Sequence, residues 1–361
     1  MTRNNGITIL KKVFNSQVCK CCWSLTFLFP VIFAHAQTGG IQVKKIWDKA
    51  PYNSFTSLIR FDDAFYCSFR EGTSHVSDKN DGKVRILRSE DGDHWGSIAL
   101  LKVHGLDLRD PKLSVTPDHK IMVIMAGAVF YDHRKIRKLF PMVSFSDTEG
   151  KDFSAPEKAT LAPGISPDKD WIWRVTWHNG TGYGVDYHTV ALHRNSESSK
   201  EEAIVTLVKT DNGQYFKKVS NLPVKDFPNE STIRFNKNNE MFVLVRRDAG
   251  NKMGVLLKSR PPYTHWRCKQ LKIQLGGPDF LFLNDTRLVI GTRHYLGKRN
   301  TTAIFVTNLK GRILKDIELP SGGDTGYPGM VIYKNLLWVS YYSSHEGKAG
   351  IYLAKISLSM L

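Results

Sequence analysis

Short runs of alternating or continuous apolar residues fill almost the whole chain, and hardly any stretch repeats with the period of a helix. β-Branched and aromatic residues crowd these runs, which read as strands grouped in sets of three. The first set is 55–61, 64–69 and 83–89, and the second is 113–116, 121–126 and 142–146. The third is 173–177, 182–187 and 203–209, and the fourth is 231–235, 241–246 and 254–259. The fifth is 280–283, 288–292 and 303–307, and the sixth is 331–333, 336–341 and 351–356. Turn residues separate the first two strands of many sets, as at Asp62-Asp63, Pro117-Asp118, Asn179-Gly180 and Lys334-Asn335.

One phrase recurs after the third strand of a set and decays along the chain. Its clearest copy runs from Arg88 to Trp95 and contains Ser89, Asp91 and Gly92. Weaker copies surround Asp147 with Gly150 and Phe153, and Asp211 with Gly213 and Phe216. At 257–266 and 305–311 the strand persists while the turn chemistry fades, and 350–356 fills the same slot. The spacing of roughly 50–60 residues is near the length of a four-stranded propeller blade. The expected fold is all-β: a six-bladed propeller of four-stranded antiparallel blades. Residues 41–47 have no neighbour to pair with, and are expected to close the ring as the outer strand of the last blade.

Residues 1–36 read as a cleaved secretory signal. Lys11, Lys12 and Lys20 precede an apolar stretch from Trp23 to Phe33, and Ala34-His35-Ala36 is a small-x-small cleavage site. The stretch is too short for a comfortable span, and no later segment is apolar enough to cross a membrane. Residues 37–361 are then a single exported domain, periplasmic or extracellular. The chain carries a net charge of +17, of which +13 is left once Arg3, Lys11, Lys12 and Lys20 are removed. Its cations are scattered rather than clustered, which argues against nucleic acid and allows an anionic polysaccharide. Only Cys67 and Cys268 follow the signal, on different expected blades; they read as two buried thiols rather than a disulfide.

The Asp91 turn, repeated with decay over 41–356, resembles the Asp-box (BNR) repeat of the sialidase superfamily. The resemblance implies the propeller and says little about the reaction, because such repeats are structural. In sialidases a glutamate opening one inner strand draws the proton of a tyrosine opening a later one, and the tyrosine is the nucleophile. Asn229-Glu230-Ser231-Thr232-Ile233 and Gly326-Tyr327-Pro328-Gly329-Met330 look like those two segments. The first blade departs from the family pattern. Asn53 falls where an arginine of the carboxylate clamp is usual, and the loop 71–78 offers Glu71, His75 and Asp78 in place of the usual acid aspartate.

Polar groups collect at equivalent strand ends, where a propeller gathers function at one mouth of its axis. Arg70, Arg246 and Arg293 each end a second strand, and guanidinium groups suit a carboxylate clamp. Arg109 and Arg174 are further basic candidates, Asp279 opens the fifth inner strand, and Trp173 offers a face for sugar stacking. His75 titrates near neutrality and is the candidate proton donor. No glycine-rich nucleotide loop, serine elbow or metal-ligand spacing occurs, and His188 and His193 are too isolated for zinc, so neither cofactor nor metal is expected.

The reading that results is an exported, monomeric, sialidase-like glycoside hydrolase removing a terminal, acidic sugar from a glycan. Tyr327, Glu230 and His75 would carry the chemistry. A uronate-directed lyase and a carbohydrate-binding propeller without catalysis are the alternatives on the same scaffold.

Overall fold

Strands such as Ile121–Tyr131 and Met241–Arg247 are apolar on both faces because both faces are covered by neighbouring sheets. The computed structural model describes residues 40–132, 135–165, 169–188 and 204–361. The leader and His193 lie outside the described residues.

The chain begins with β1 (Ile41–Trp47) and then builds blade I from β2 (Tyr52–Phe61), β3 (Ala64–Gly72), β4 (Lys83–Ser89) and β5 (Gly96–Leu101). Blade II is β6 (Asp107–Val115), β7 (Ile121–Tyr131), β8 (Lys135–Phe145) and the two-residue β9 (Glu157–Lys158). A short β10 (Thr160–Leu161) then adds to the outside of blade III, parallel to its last strand. Blade III itself is β11 (Asp170–His178), β12 (Thr181–His188), β13 (Val205–Thr210) and β14 (Tyr215–Leu222). Blade IV is β15 (Pro228–Phe235), β16 (Met241–Arg247), β17 (Met253–Ser259) and β18 (Arg267–Gln274). Blade V is β19 (Asp279–Asn284), β20 (Arg287–Leu296), β21 (Arg299–Asn308) and β22 (Ile313–Leu319). Blade VI is β23 (Thr325–Tyr333), β24 (Leu336–Ser343) and β25 (Gly350–Ser357), completed by β1.

These six sheets form the expected propeller, and the expected strands, as far as they lie on described residues, fall within the observed ones or within a residue of them; position 203 lies outside the described residues. Among the described residues the only helical segment is a 3-10 turn at Leu358–Met360, and no helix is long and apolar enough to cross a membrane. Burial falls from the axis outwards: β3 is buried along its whole length, whereas β18 is exposed at four of its first five positions.

The recurring phrase is a turn between the third and fourth strands. Asp91 Oδ1 accepts the backbone N–H groups of Asp93 and His94, each at 2.8 Å. Asn212 Oδ1 does the same for Gln214 and Tyr215 at 2.9 and 3.0 Å, and Asn308 Oδ1 for Lys310 and Arg312 at 2.9 and 3.0 Å. An amide oxygen accepts as a carboxylate does. The turn at Asn308 therefore survives where its acid is lost. The two thiols differ from expectation in one respect: both are free, but Cys67 is buried while Cys268 is exposed on the outer strand β18.

Closure is made by β1, which pairs antiparallel with β25 from Ile41↔Ile356 to Trp47↔Ile351. Trp47 also ties this strand to blade I. Its indole Nε1 donates to Glu71 Oε1 at 2.7 Å, and its ring packs on Phe69 with centroids 6.0 Å apart. Replacing Trp47 with Ala removes a large buried ring and an indole hydrogen bond, and is expected to destabilise the fold by about 3–4 kcal/mol. An unchanged denaturant midpoint would show that ring closure does not rest on this contact.

Candidate functional site

The residues that open the innermost strands are placed by a shared irregularity. In β2, β6, β11, β15 and β23 the register to the second strand shifts by one near the strand start, two inner-strand residues standing opposite one of the partner. The unpaired residues are Phe55-Thr56, Asp110-Pro111, Trp173-Arg174, Asn229-Glu230 and Tyr327-Pro328. Such bulges bend a strand and re-aim its side chains. Phe55, Asp110 and Tyr327 also have positive φ values of 64°, 49° and 53°. This conformation is uncommon for residues with a side chain and persists only where the surroundings enforce it.

Tyr327 and Glu230, widely separated in the chain, meet at the centre. The tyrosine hydroxyl donates to Glu230 Oε1 at 2.7 Å, and both residues are buried. Arg246 Nη1 lies 2.7 Å from the same carboxylate oxygen and 3.2 Å from the tyrosine hydroxyl oxygen. The other oxygen, Oε2, accepts the backbone N–H of Gly277 at 2.7 Å. Burial and the Glu230 charge push the Tyr327 phenol well above its usual pKa, against the opposing pull of Arg246 and Arg293. The phenol is uncharged at rest, with its proton already aimed at an acceptor.

A second cluster lies beside it. Arg293 donates to Thr325 O at 2.6 Å, and its Nη2 reaches Asp324 Oδ1 at 2.9 Å and the Tyr342 hydroxyl at 2.8 Å. Its guanidinium also stands 5.3 Å from the Tyr327 ring centre. Tyr342 donates to Asp324 Oδ1 at 2.6 Å, while His75 Nδ1 lies 2.7 Å from Asp324 Oδ2 and the Tyr52 hydroxyl bonds to that same oxygen. Burial would raise the Asp324 pKa, but the His75 hydrogen bond and the neighbouring positive charges hold it well below the carboxylate range. An ionised carboxylate only accepts, so Nδ1 of His75 carries the proton and Nε2 is the free nitrogen. Burial, assisted by Arg109, lowers the His75 pKa below 6.5 despite Asp324.

Phe55 joins the two clusters. Its ring centre is 4.9 Å from Tyr327, 5.1 Å from His75 and 5.5 Å from Tyr342. Asn53 instead turns its amide into the fold, donating to Ala50 O and Ala349 O. An apolar ring thus stands at the inner-strand bulge of the first blade.

The structure brings Glu230, Tyr327, Arg246, Arg293 and His75 into one neighbourhood, and holds Arg109 at its edge. Arg109 donates to the His75 carbonyl at 2.8 Å and lies 5.0 Å from the Phe55 ring. Arg70 is not delivered to Tyr327. Fully buried, it makes two bonds to Asp107 at 2.6 and 2.8 Å and a third to Ser74 O. Arg174 and Asp279 pair with each other at 3.4 Å, and Asp279 also meets Arg234 at 2.7 Å. Burial lowers the Arg174 pKa to about 10. Trp173 is 1 % exposed and packs edge-on against Tyr327 with Lys112 4.5 Å from its ring centre, so it supports Tyr327 and offers no open face for stacking. Phe55, Asp324 and Tyr52 escaped the sequence reading, in which Tyr342 stood only as the end of a second strand. Among the described residues no group of three potential metal ligands occurs.

No family model and no curated protein matches the chain. Solved structures do. A protein of unknown function from Dyadobacter fermentans aligns over 87% of this chain and 99% of its own, with a TM-score of 0.69 at 19% identity. A Trypanosoma rangeli sialidase in complex with the inhibitor DANA aligns with a TM-score of 0.65 at 10% identity, over 85% of this chain and 55% of its own. The fold is that of the sialidases. The Hadza microbial sialidase Hz136 gives 0.63 at 12% identity, over 86% of this chain and 67% of its own. At these identities the likeness to sialidases is one of fold.

Gly277 supports Tyr327 closely. Its φ of 60° suits glycine, and a Cβ there would lie 2.3 Å from the Tyr327 ring. Gly277→Ala is expected to destabilise the protein by about 2–4 kcal/mol through overpacking and backbone strain. A urea titration measures it, and an unchanged midpoint would mean that the Tyr327 ring is free to move.

Proposed function

We propose that the protein is a glycoside hydrolase that removes a terminal sugar through a covalent bond to Tyr327. What supports this reading is the buried tyrosine hydroxyl donating to Glu230 at 2.7 Å, with Arg246 touching both groups. A phenol activated by an adjacent base is an enzyme nucleophile, and a tyrosine in this role is the known sialidase variation on two-carboxylate hydrolysis.

In the first step the Tyr327 oxygen forms a bond to the anomeric carbon as its proton passes to Glu230. The bond from that carbon to the leaving oxygen breaks, and the leaving oxygen takes a proton from His75 Nε2. In the second step a water attacks the anomeric carbon and gives its proton back to Nε2. The Tyr327 phenolate departs and recovers its proton from Glu230. Two displacements retain the anomeric configuration. Arg246 stabilises the negative charge as it moves between Glu230 and the phenolate.

The pH dependence follows from the tautomer of His75. With Nδ1 held against Asp324, Nε2 carries a proton only in the imidazolium form. That form is lost as pH rises through a midpoint lowered from 6.5 by burial. Turnover of substrates with poor leaving groups should therefore decline above that midpoint, and activated aryl glycosides should be far less affected. We also read the protein as exported, on the leader-like features of 1–36.

The direct experiment incubates the purified protein with mixed glycans and identifies the products by mass spectrometry. A saturated monosaccharide is expected, and an unsaturated sugar would replace hydrolysis by elimination. Tyr327→Phe should abolish release while the protein stays folded. His75→Ala should slow unactivated substrates by about 10²–10⁴-fold and aryl glycosides much less. Normal turnover in Tyr327→Phe would sink the nucleophile assignment.

A further inference from the structure

The guanidinium groups around Tyr327 are already paired with carboxylates of the protein. Arg246 contacts Glu230 at 2.7 Å and Asp248 at 3.0 Å, and Arg293 contacts Asp324 at 2.9 Å. Arg109 lies 3.3 Å from Asp107 and 3.9 Å from Asp110, and Arg70 binds Asp107 at 2.6 Å. Lys112 adds one buried ammonium over the Trp173 ring. Five cations thus stand with five carboxylates: Glu230, Asp248, Asp324, Asp107 and Asp110. The His75, Asp324 and Asp248 side chains are 34 %, 31 % and 25 % exposed, whereas Arg246 and Arg293 are each 14 % exposed. An arriving ligand meets carboxylates and the His75 ring before it meets an arginine.

Asp324 is the decisive group. Its two oxygens receive four donors: Arg293 and Tyr342 on Oδ1, and His75 and Tyr52 on Oδ2. Those donors fill about four lone-pair sites, the capacity of a carboxylate. The protein's own anion therefore sits where Arg293 would receive a ligand's. A ligand carboxylate would either lie beside Asp324, as like charges in a partly buried site, or displace it from four partners. Phe55, 1 % exposed and touching Tyr327, His75 and Tyr342, places no further charge in the gap between the clusters.

We propose that the sugar ring bound over Tyr327 is uncharged, and that Asp324, seated on Arg293, excludes rings bearing a carboxylate. This selects a neutral hexose or deoxyhexose where the arginines alone had suggested an acidic sugar. The neutral Tyr327 phenol attacks either kind of ring, so the nucleophile does not decide the charge. Among the described residues Nη1 of Arg293 has no partner, and its N–H groups suit hydroxyl oxygens of a sugar.

The inference rests on the glycosidase reading for the place of the ring, yet it is testable without turnover. In the Tyr327→Phe background, calorimetry or ligand-observed NMR would compare matched methyl glycosides: galactoside with galacturonide, glucoside with glucuronide, and a sialoside with its methyl ester. The uncharged member of at least one pair should bind about tenfold or more tightly than its anionic partner. Adding Asp324→Asn should narrow that gap by strengthening the anionic member. Adding Tyr342→Phe, which removes a donor to Asp324 without changing charge, should leave the preference in place. Tighter binding of the anionic members, no binding of any neutral glycoside, or a gap untouched by Asp324→Asn would each overturn the proposal. A neutral sugar that binds but is never released from a glycan by the unmodified protein would instead defeat the hydrolase reading and leave the exclusion standing.

Discussion

Pairing of the first strand with the last is the constraint on which this molecule depends. Each blade is a sheet whose inner strands are apolar on both faces, so no blade is stable with a side uncovered. Covering every face requires a ring, and the ring is fastened by β1 on β25 and by Trp47 against blade I. The axial site is a product of that closure. Tyr327 of blade VI meets Phe55 of blade I, and Asp324 before β23 meets His75 and Tyr52 of blade I. Half of the site therefore crosses the seam at which the ring is sealed.

The architecture was legible because its signals are local. Strand runs, turn residues and the Asp91 phrase each lie within a dozen residues, and the lone segment 41–47 could only find its partner at the far end of the chain. Two outcomes were hidden for the same reason. The Asn308 turn keeps its geometry with an amide in place of an acid, and β10 adds to blade III with only two residues.

The site was legible in part. Glu230 and Tyr327 stand at equivalent strand starts, a position that the repeat exposes. What each arginine does was not legible, because that depends on which carboxylate lies opposite it after folding. Arg70 and Arg293 look alike in the sequence, both ending a second strand. Arg70 is fully buried on Asp107, whereas Arg293 reaches the Tyr327 ring. Asp324 gave no warning at all. Its partners come from β2, the loop after β3, β20 and β24, and only closure of the ring assembles them.

The two-residue bulge recurs at the starts of five inner strands. Phe55, Asp110 and Tyr327 occupy corresponding places with similar left-handed backbones, yet one is apolar, one acidic and one a phenol. The kink thus behaves as a set of sockets around the axis, each accepting a different side chain without a change in the sheet beneath it. Chemistry on such a scaffold can diverge one socket at a time, and blades that look interchangeable from outside can carry unrelated duties at the centre.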